Sequence, residues 1–142
     1  MTRRTYAEIK DLVTNHNRST QLSNEFVVCQ IWKESGFDDS VKNADSTATG
    51  LMQIARAAVL EVNKKIAPAE VTYAHTEMTD AAKNIECGTY YLDLRIRWAK
   101  DKTKSIDGFG TGLGYAKNIF SCEECMQKDI EHWQACLHKI HR

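Results

Sequence analysis

Proline is nearly missing: the 142-residue chain has one, Pro68, and seven glycines. With so few chain breakers and 42% apolar residues, the composition predicts a single globular, helix-rich domain over residues 1–142. Net charge is missing too. Lys+Arg and Asp+Glu both number 19, whereas a nucleic-acid binder is usually basic overall or in a block. The local clusters Arg3-Arg4 and Lys100 to Lys104 read as solvated surface. No apolar run approaches the ~18 residues of a membrane span, so membrane insertion is not expected. The start, MTRRTYAEIKDLV, has no apolar h-region, so no secretory signal is visible. No alternating strand pattern, internal repeat or low-complexity segment stands out.

What is present is helical periodicity. Thr5-x-x-Glu8 has the capping-box pattern and precedes Ile9, Leu12 and Val13 at helical spacing, predicting a helix over about 5–14. Ser23 caps a second helix whose apolar face, with Phe26, Val27, Gln30 and Ile31, runs up to Glu34, and Gly36 ends it. A polar loop fills 37–50. Turns or a third helix follow Gly50, with Ile54, Ala58, Leu60 and Val62 as buried candidates. Thr79 or Asp80 caps a fourth helix carrying Ile85, Leu92 and Ile96. The segment 101–114 holds four glycines and reads as a loop. Tyr115 to Phe120 is helical. Ser121-x-x-Glu124 opens a terminal amphipathic helix over about 122–140.

Glu34 is the chemically interesting residue. A carboxylate closing an apolar helix can be partly desolvated, which disfavours its charged form and raises its pKa. Such a group keeps a proton to give to a leaving oxygen, as cleavage of a glycosidic bond requires.

Its surroundings carry a resemblance. Glu34-Ser35-Gly36, then Gly50-Leu51-Met52-Gln53-Ile54, then Asn84-Ile85-x-x-Gly88-Thr89-Tyr90-Tyr91-Leu92, with Asp80 ahead, resemble in order the signatures of soluble lytic transglycosylases and goose-type lysozymes. The loop Gly108 to Ala116 resembles that family's late Gly-rich loop. The resemblance covers about 24–120. It implies a mainly α, lysozyme-like fold with little or no β structure, no cofactor or metal, and Glu34 as general acid/base. The implied substrate is peptidoglycan, cut at the MurNAc-GlcNAc β-1,4 bond. The candidate substrate-binding set is Met52, Gln53, Tyr91, Phe109 and Tyr115. Gly88 would let the fourth helix approach a neighbour closely.

The chain also departs from the family. Thr47-Ala48-Thr49 stands where Gly-Ala usually precedes Gly-Leu-Met-Gln. Phe109-Gly110 stands where the late loop usually has Tyr-Asn. The family tyrosine can hydrogen-bond to the catalytic acid, and Phe109 cannot. Tyr115 is a candidate replacement, with helix packing as its other reading.

Two mechanisms are open at this level. A transglycosylase needs one group: Glu34 protonates the glycosidic oxygen, then takes the proton of the muramic acid C6 hydroxyl as that oxygen attacks, giving a 1,6-anhydro product. An inverting hydrolase needs a second carboxylate about 6.5–9.5 Å away. Asp38, Asp39 and Asp45 are candidates, with Asp45 foremost. A non-catalytic glycan-binding or structural module is the other function class.

Five cysteines, at 29, 87, 122, 125 and 136, leave at least one unpaired in a monomer. Cys122, Cys125, His132 and Cys136 look superficially like zinc ligands. On one continuous helix, however, Cys122 and Cys136 lie about 21 Å apart, so no metal is expected. Cys29 and Cys87, on two helices expected to pack together, are the disulfide candidates, with a pair of buried thiols as the alternative. A peptidoglycan substrate implies work in the periplasm or cell wall. Without a visible signal, delivery by a specialised secretion system or a phage-type route is expected. An injected antibacterial effector of that kind would need a cognate immunity protein.

Overall fold

A computed structural model describes residues 3–110 and 112–140. Seven α-helices are described: α1 (Tyr6–His16), α2 (Asn24–Ser35), α3 (Arg56–Lys65), α4 (Ala81–Trp98), α5 (Lys102–Phe109), α6 (Tyr115–Lys128) and α7 (Trp133–His138). Short 3-10 turns occupy His75–Glu77 and Ile130–His132. Among the described residues there is no strand, and isolated bridges pin the loop after α2, Lys42 to Thr49 and Thr49 to Ile54. The mainly α expectation therefore holds.

The starts of these helices follow from their caps. The Thr5 hydroxyl accepts from the Glu8 amide at 3.2 Å, and Glu8 accepts from the Thr5 amide at 3.1 Å. Ser23 caps α2 through the Phe26 amide at 3.1 Å, and Asp80 caps α4 through the Lys83 amide at 2.9 Å. Each satisfies a donor that the first helical turn leaves orphaned.

Around the core, α1 packs on α2 and α4, α2 on α6, α3 on α4, α4 on α5, α5 on α6, and α6 on α7. Phe26, Ile31, Ile85, Leu92, Ile106 and Ile119 are all fully buried. The Phe26 and Phe120 rings meet at 5.2 Å between α2 and α6. Leu60 is exposed, unlike its neighbours Ala58 and Val62, because it points off the opposite face of α3.

Three expectations need correction. The segment 101–114 is not all loop: Asp101 caps α5 through the Lys104 amide at 3.1 Å, and Ser105, Ile106 and Asp107 turn inward. Three of its four glycines, Gly110, Gly112 and Gly114, follow the helix, and Gly108 lies in its last turn. Ser121-x-x-Glu124 is not a helix start, because α6 runs unbroken from Tyr115 to Lys128. The terminal segment is not one helix either; it breaks at Asp129 and resumes as α7.

That break reassigns the cysteines. On one helix Cys125 and Cys136 would lie about 16 Å apart. With the chain folded back, their Cα atoms are 5.5 Å apart and they form a disulfide. Cys29 pairs with Cys122, at a Cα separation of 6.1 Å, and not with Cys87. The partner of α2 at this depth is α6, while Cys87 stays a buried thiol whose pKa burial pushes up to about 12.

Candidate active site

Glu34 sits in the last turn of α2, half-buried. The chain must turn sharply after it. Gly36 and Phe37 both adopt left-handed backbone, with φ of 60° and 70°. Gly36 does so at little cost, but Phe37 has a Cβ and is strained there. Packing holds it: Phe37 is buried, and its ring meets Trp32 edge-on at 5.0 Å. The Arg4 amide also donates to its carbonyl at 2.8 Å, and Arg3 Nη1 donates to the Gly36 carbonyl at 2.9 Å. The N-terminal arm thus fastens the turn that aims Glu34.

The Gly50-Leu51-Met52-Gln53 turn is clamped by Asn84 of α4. Asn84 is fully buried and spends its whole amide here. Its Nδ2 donates to the Thr49 and Met78 carbonyls at 2.8 Å each, and its Oδ1 accepts from the Met52 amide at 2.8 Å. Gly50 has φ 81°, and a Cβ there would lie 2.1 Å from the Met78 carbonyl oxygen. A Cβ on Gly88 would lie 2.6 Å from Met52 Sδ. Gly88 thus admits the Met52 side chain against α4, so Met52 is a fully buried core residue. Gln53, at φ 53°, donates its Nε2 to the Val41 and Gly50 carbonyls at 3.0 Å each. Its amide ties the loop, and part of its surface still lines a small cavity.

Tyr115, the first residue of α6, reaches the acid. It is buried, and its hydroxyl donates to Glu34 Oε2. Gln30, one turn before Glu34 on the same face of α2, donates to the Tyr115 hydroxyl at 3.2 Å. That directs the tyrosine proton at the carboxylate. Gly110 makes room: a Cβ there would lie 2.3 Å from the Tyr115 ring. Asp107 fixes the start of α6 by accepting from the Ala116 amide at 2.7 Å, an acidic group at a helix N-terminus where it is favoured.

Burial raises the Glu34 pKa above the ordinary carboxylate value, and the Tyr115 hydrogen bond and the Lys33 charge only partly oppose it. Burial, with the Glu34 charge next, pushes the Tyr115 phenol well above its ordinary value. The tyrosine thus remains a donor wherever the acid titrates.

The other carboxylates are differently engaged. Asp39 is buried and paired with Arg4 at 2.9 Å. Asp38 accepts from the Ser40 amide at 2.9 Å and the Ser40 hydroxyl at 2.7 Å. Asp45 is exposed, in a turn where its amide donates to Asn43 Oδ1 at 2.7 Å.

From Tyr115 an aromatic path leads away from the acid. Phe109 and Tyr115 ring centroids are 6.5 Å apart, and Tyr91 and Phe109 are 5.9 Å apart. A cavity of about 140 Å³ lies along it, lined by Gln53, Ala57, Tyr91 and Phe109 among others. Of the expected set, Tyr115 alone meets Glu34; Phe109 and Tyr91 continue the path from its ring, Gln53 lines the cavity beside them, and Met52 is buried in the core. Sequence reasoning placed Gln30 on the face leading to Glu34 but missed its bond to Tyr115, and it missed the roles of Asp107 and Gly110. Gln30 carried a readable signal, the i,i+4 spacing to Glu34; the other two depend on a loop whose path the sequence does not reveal. Thr111 of that loop lies outside the described residues.

Comparison with known proteins agrees with this frame. The family described as Transglycosylase SLT domain matches residues 11–129. A structure of the 70-kDa soluble lytic transglycosylase in complex with bulgecin A is similar at 21% identity and TM-score 0.59, over 80% of this chain and 18% of that one. The 70-kDa soluble lytic transglycosylase of Escherichia coli, solved at 1.65 Å, is similar at 18% identity and TM-score 0.60, over 91% of this chain and 22% of that one. The chain thus spans about a fifth of the length of these relatives. No curated protein matches it. With the family profile covering most of its length, the chain belongs to the SLT transglycosylase domain family.

Proposed function

We propose that this chain cleaves peptidoglycan glycan strands at the MurNAc-GlcNAc bond as a lytic transglycosylase, with Glu34 as its general acid and base. The observation that carries the reading is the Glu34–Tyr115 pair: a carboxyl raised by burial and oriented by a single phenolic donor. Protonated Glu34 gives its proton to the glycosidic oxygen as that bond breaks. The resulting carboxylate then accepts the C6 hydroxyl proton of the muramyl unit while the C6 oxygen bonds to C1. The ring closes as a 1,6-anhydro sugar and Glu34 is protonated again. No second carboxylate is needed, which suits a site where Asp39 is held by Arg4 and Asp38 by Ser40.

Asp45 keeps a hydrolase reading in play, since its exposed carboxylate is the one such group not engaged in this way. Mass spectrometry of digested sacculi separates the two. The transglycosylase yields anhydro-muramyl ends, and Asp45→Asn retains most activity. Reducing ends together with an inactive Asp45→Asn protein would transfer the mechanism to the hydrolase. Binding without any cleavage would leave a glycan-binding module.

A wall substrate puts the working site outside the cytoplasm, and two disulfides suit an oxidising compartment. The same proposal includes an antibacterial effector role and a cognate immunity protein that covers the Glu34 cleft. Expression directed to the periplasm of a test bacterium should lyse it, cytoplasmic expression should not, and Glu34→Gln should abolish the difference.

A further inference from the structure

Buried polar side chains in this core are engaged, with one exception. Asp93 on α4 accepts from the Thr20 amide at 2.7 Å and the Thr20 hydroxyl at 3.0 Å. Asp107 accepts from Ala116, and Asn84 makes three bonds. Among the described residues, the one buried side-chain N or O atom without a partner is Gln30 Oε1. Gln30 is fully buried, and a polar group so placed is normally paired. A leucine or methionine there would fill the space and strand nothing. The position of the amide supplies the reason for the exception. Its other end bonds to the phenol that bonds to Glu34.

The three side chains form a hydrogen-bond chain with a fixed direction. Gln30 Nε2 can only donate, so the Tyr115 oxygen accepts from it. The phenol has a single proton, and that proton goes to Glu34 Oε2. A second proton on Oε2 would oppose it, and the phenol has no other acceptor among the described residues. When Glu34 is neutral, its own proton is therefore held on Oε1. With the amide turned over, its oxygen would take the phenol proton and the phenol oxygen would accept from Oε2. The acid proton would then point at Tyr115 and not at a substrate. The join beside the amide is covalent: Cys29, next to Gln30 in the chain, is bonded to Cys122, about two turns beyond Tyr115 on α6.

We propose that Gln30 is a positioning residue for bond cleavage, acting through Tyr115 to confine the catalytic proton to Oε1 of Glu34. Oε1 then gives that proton to the glycosidic oxygen and takes back the proton of the C6 hydroxyl. Tyr115 stays on Oε2 throughout, and Gln30 exchanges no proton. The unpaired carbonyl is the consequence of turning the amide nitrogen toward the phenol. This inference rests on the acid/base reading of Glu34 above.

Its test compares Gln30→Met, Tyr115→Phe and the double variant with the wild type, by melting temperature and by the kinetics of cleavage of soluble glycan strands. Methionine has about the length of glutamine and carries neither the donor nor the carbonyl. Gln30→Met should melt no lower than the wild type, because no buried carbonyl is left unpaired. Its kcat should still fall about tenfold, short of the ~10²–10⁴-fold that general acid–base catalysis is worth. KM should stay close to normal, since Gln30 acts on the acid's donor and not on the sugar. In the Tyr115→Phe background the same substitution should change kcat by less than about twofold, because members of one network are not additive. A merely structural glutamine predicts the reverse: a lower melting temperature and the same effect on kcat in either background. A destabilised Gln30→Met, an undiminished kcat, or equal losses in both backgrounds overturns the proposal and leaves the Glu34 reading intact. Wild-type protein that cleaves nothing overturns the transglycosylase reading and this inference with it.

Discussion

At the scale of single residues, the site turns on how one carboxyl is tuned by opposing influences. Burial pushes the Glu34 pKa up, and the hydrogen bond from Tyr115 pulls it part of the way back. Tyr115→Phe removes the pull and leaves the push. The alkaline limb of the kcat–pH profile, where the general acid loses its proton, should therefore move to higher pH. The rate should also fall, by less than the ~10²–10⁴-fold that general acid–base catalysis is worth, because the acid survives and only its orientation suffers. Gly110→Ala should produce the same signature by pushing the Tyr115 ring away. A Tyr115→Phe profile that overlays the wild type would show that the phenol does not act on Glu34. The sequence made the acid legible, since a carboxylate ending an apolar helix is visible in one dimension. It gave Tyr115 two readings, because which ring of the late loop faces Glu34 depends on the path through Gly110.

At the scale of elements, the acid and its donor lie on different helices, α2 and α6, so the join between those helices sets their geometry. The Cys29–Cys122 disulfide ties them across a sequence separation of 93. The chain-entropy account gives such a bridge about 4–5 kcal/mol. Cys125–Cys136 closes a separation of 11, for which the same account gives under about 3 kcal/mol, and it touches neither member of the pair. Replacing Cys29 and Cys122 by alanine should lower the melting temperature and the turnover together. Replacing Cys125 and Cys136 should lower the melting temperature less and leave turnover close to normal. The opposite order of effects on turnover would detach the α2–α6 bridge from the chemistry. Pairing was not legible beforehand: Cys29 and Cys87 do lie on core helices, but α2 packs on α1 and α6 while α4 packs on α1, α3 and α5, and only that packing brings Cys122 to Cys29. The fold-back at Asp129 was equally hidden, because Ile130, Trp133, Leu137 and Ile140 keep helical spacing straight through it.

At the scale of the whole molecule, the helical class followed from periodicity and the near absence of chain breakers. The order of the short motifs, from Glu34 through Gly50 and Asn84 to the late glycines, matched the architecture because each motif closes a particular junction. Asn84 is the clearest case. Its three hydrogen bonds join the turn before α3 to the start of α4; only Asn and Gln carry an amide with two donors and an acceptor, and Gln holds it one methylene further out. Burial inverted the reading of Met52, whose thioether fills the space that Gly88 leaves rather than facing a ligand.

The central claim is that one carboxyl, Glu34, performs the whole bond-breaking sequence. The most direct measurement is side-by-side mass analysis of muropeptides released from purified sacculi by the wild type and by Glu34→Gln. Circular dichroism and melting would first establish that both are folded. The account predicts anhydro-muramyl products from the wild type and release reduced by at least about 10²-fold in the variant. Undiminished release by a folded Glu34→Gln protein would contradict it.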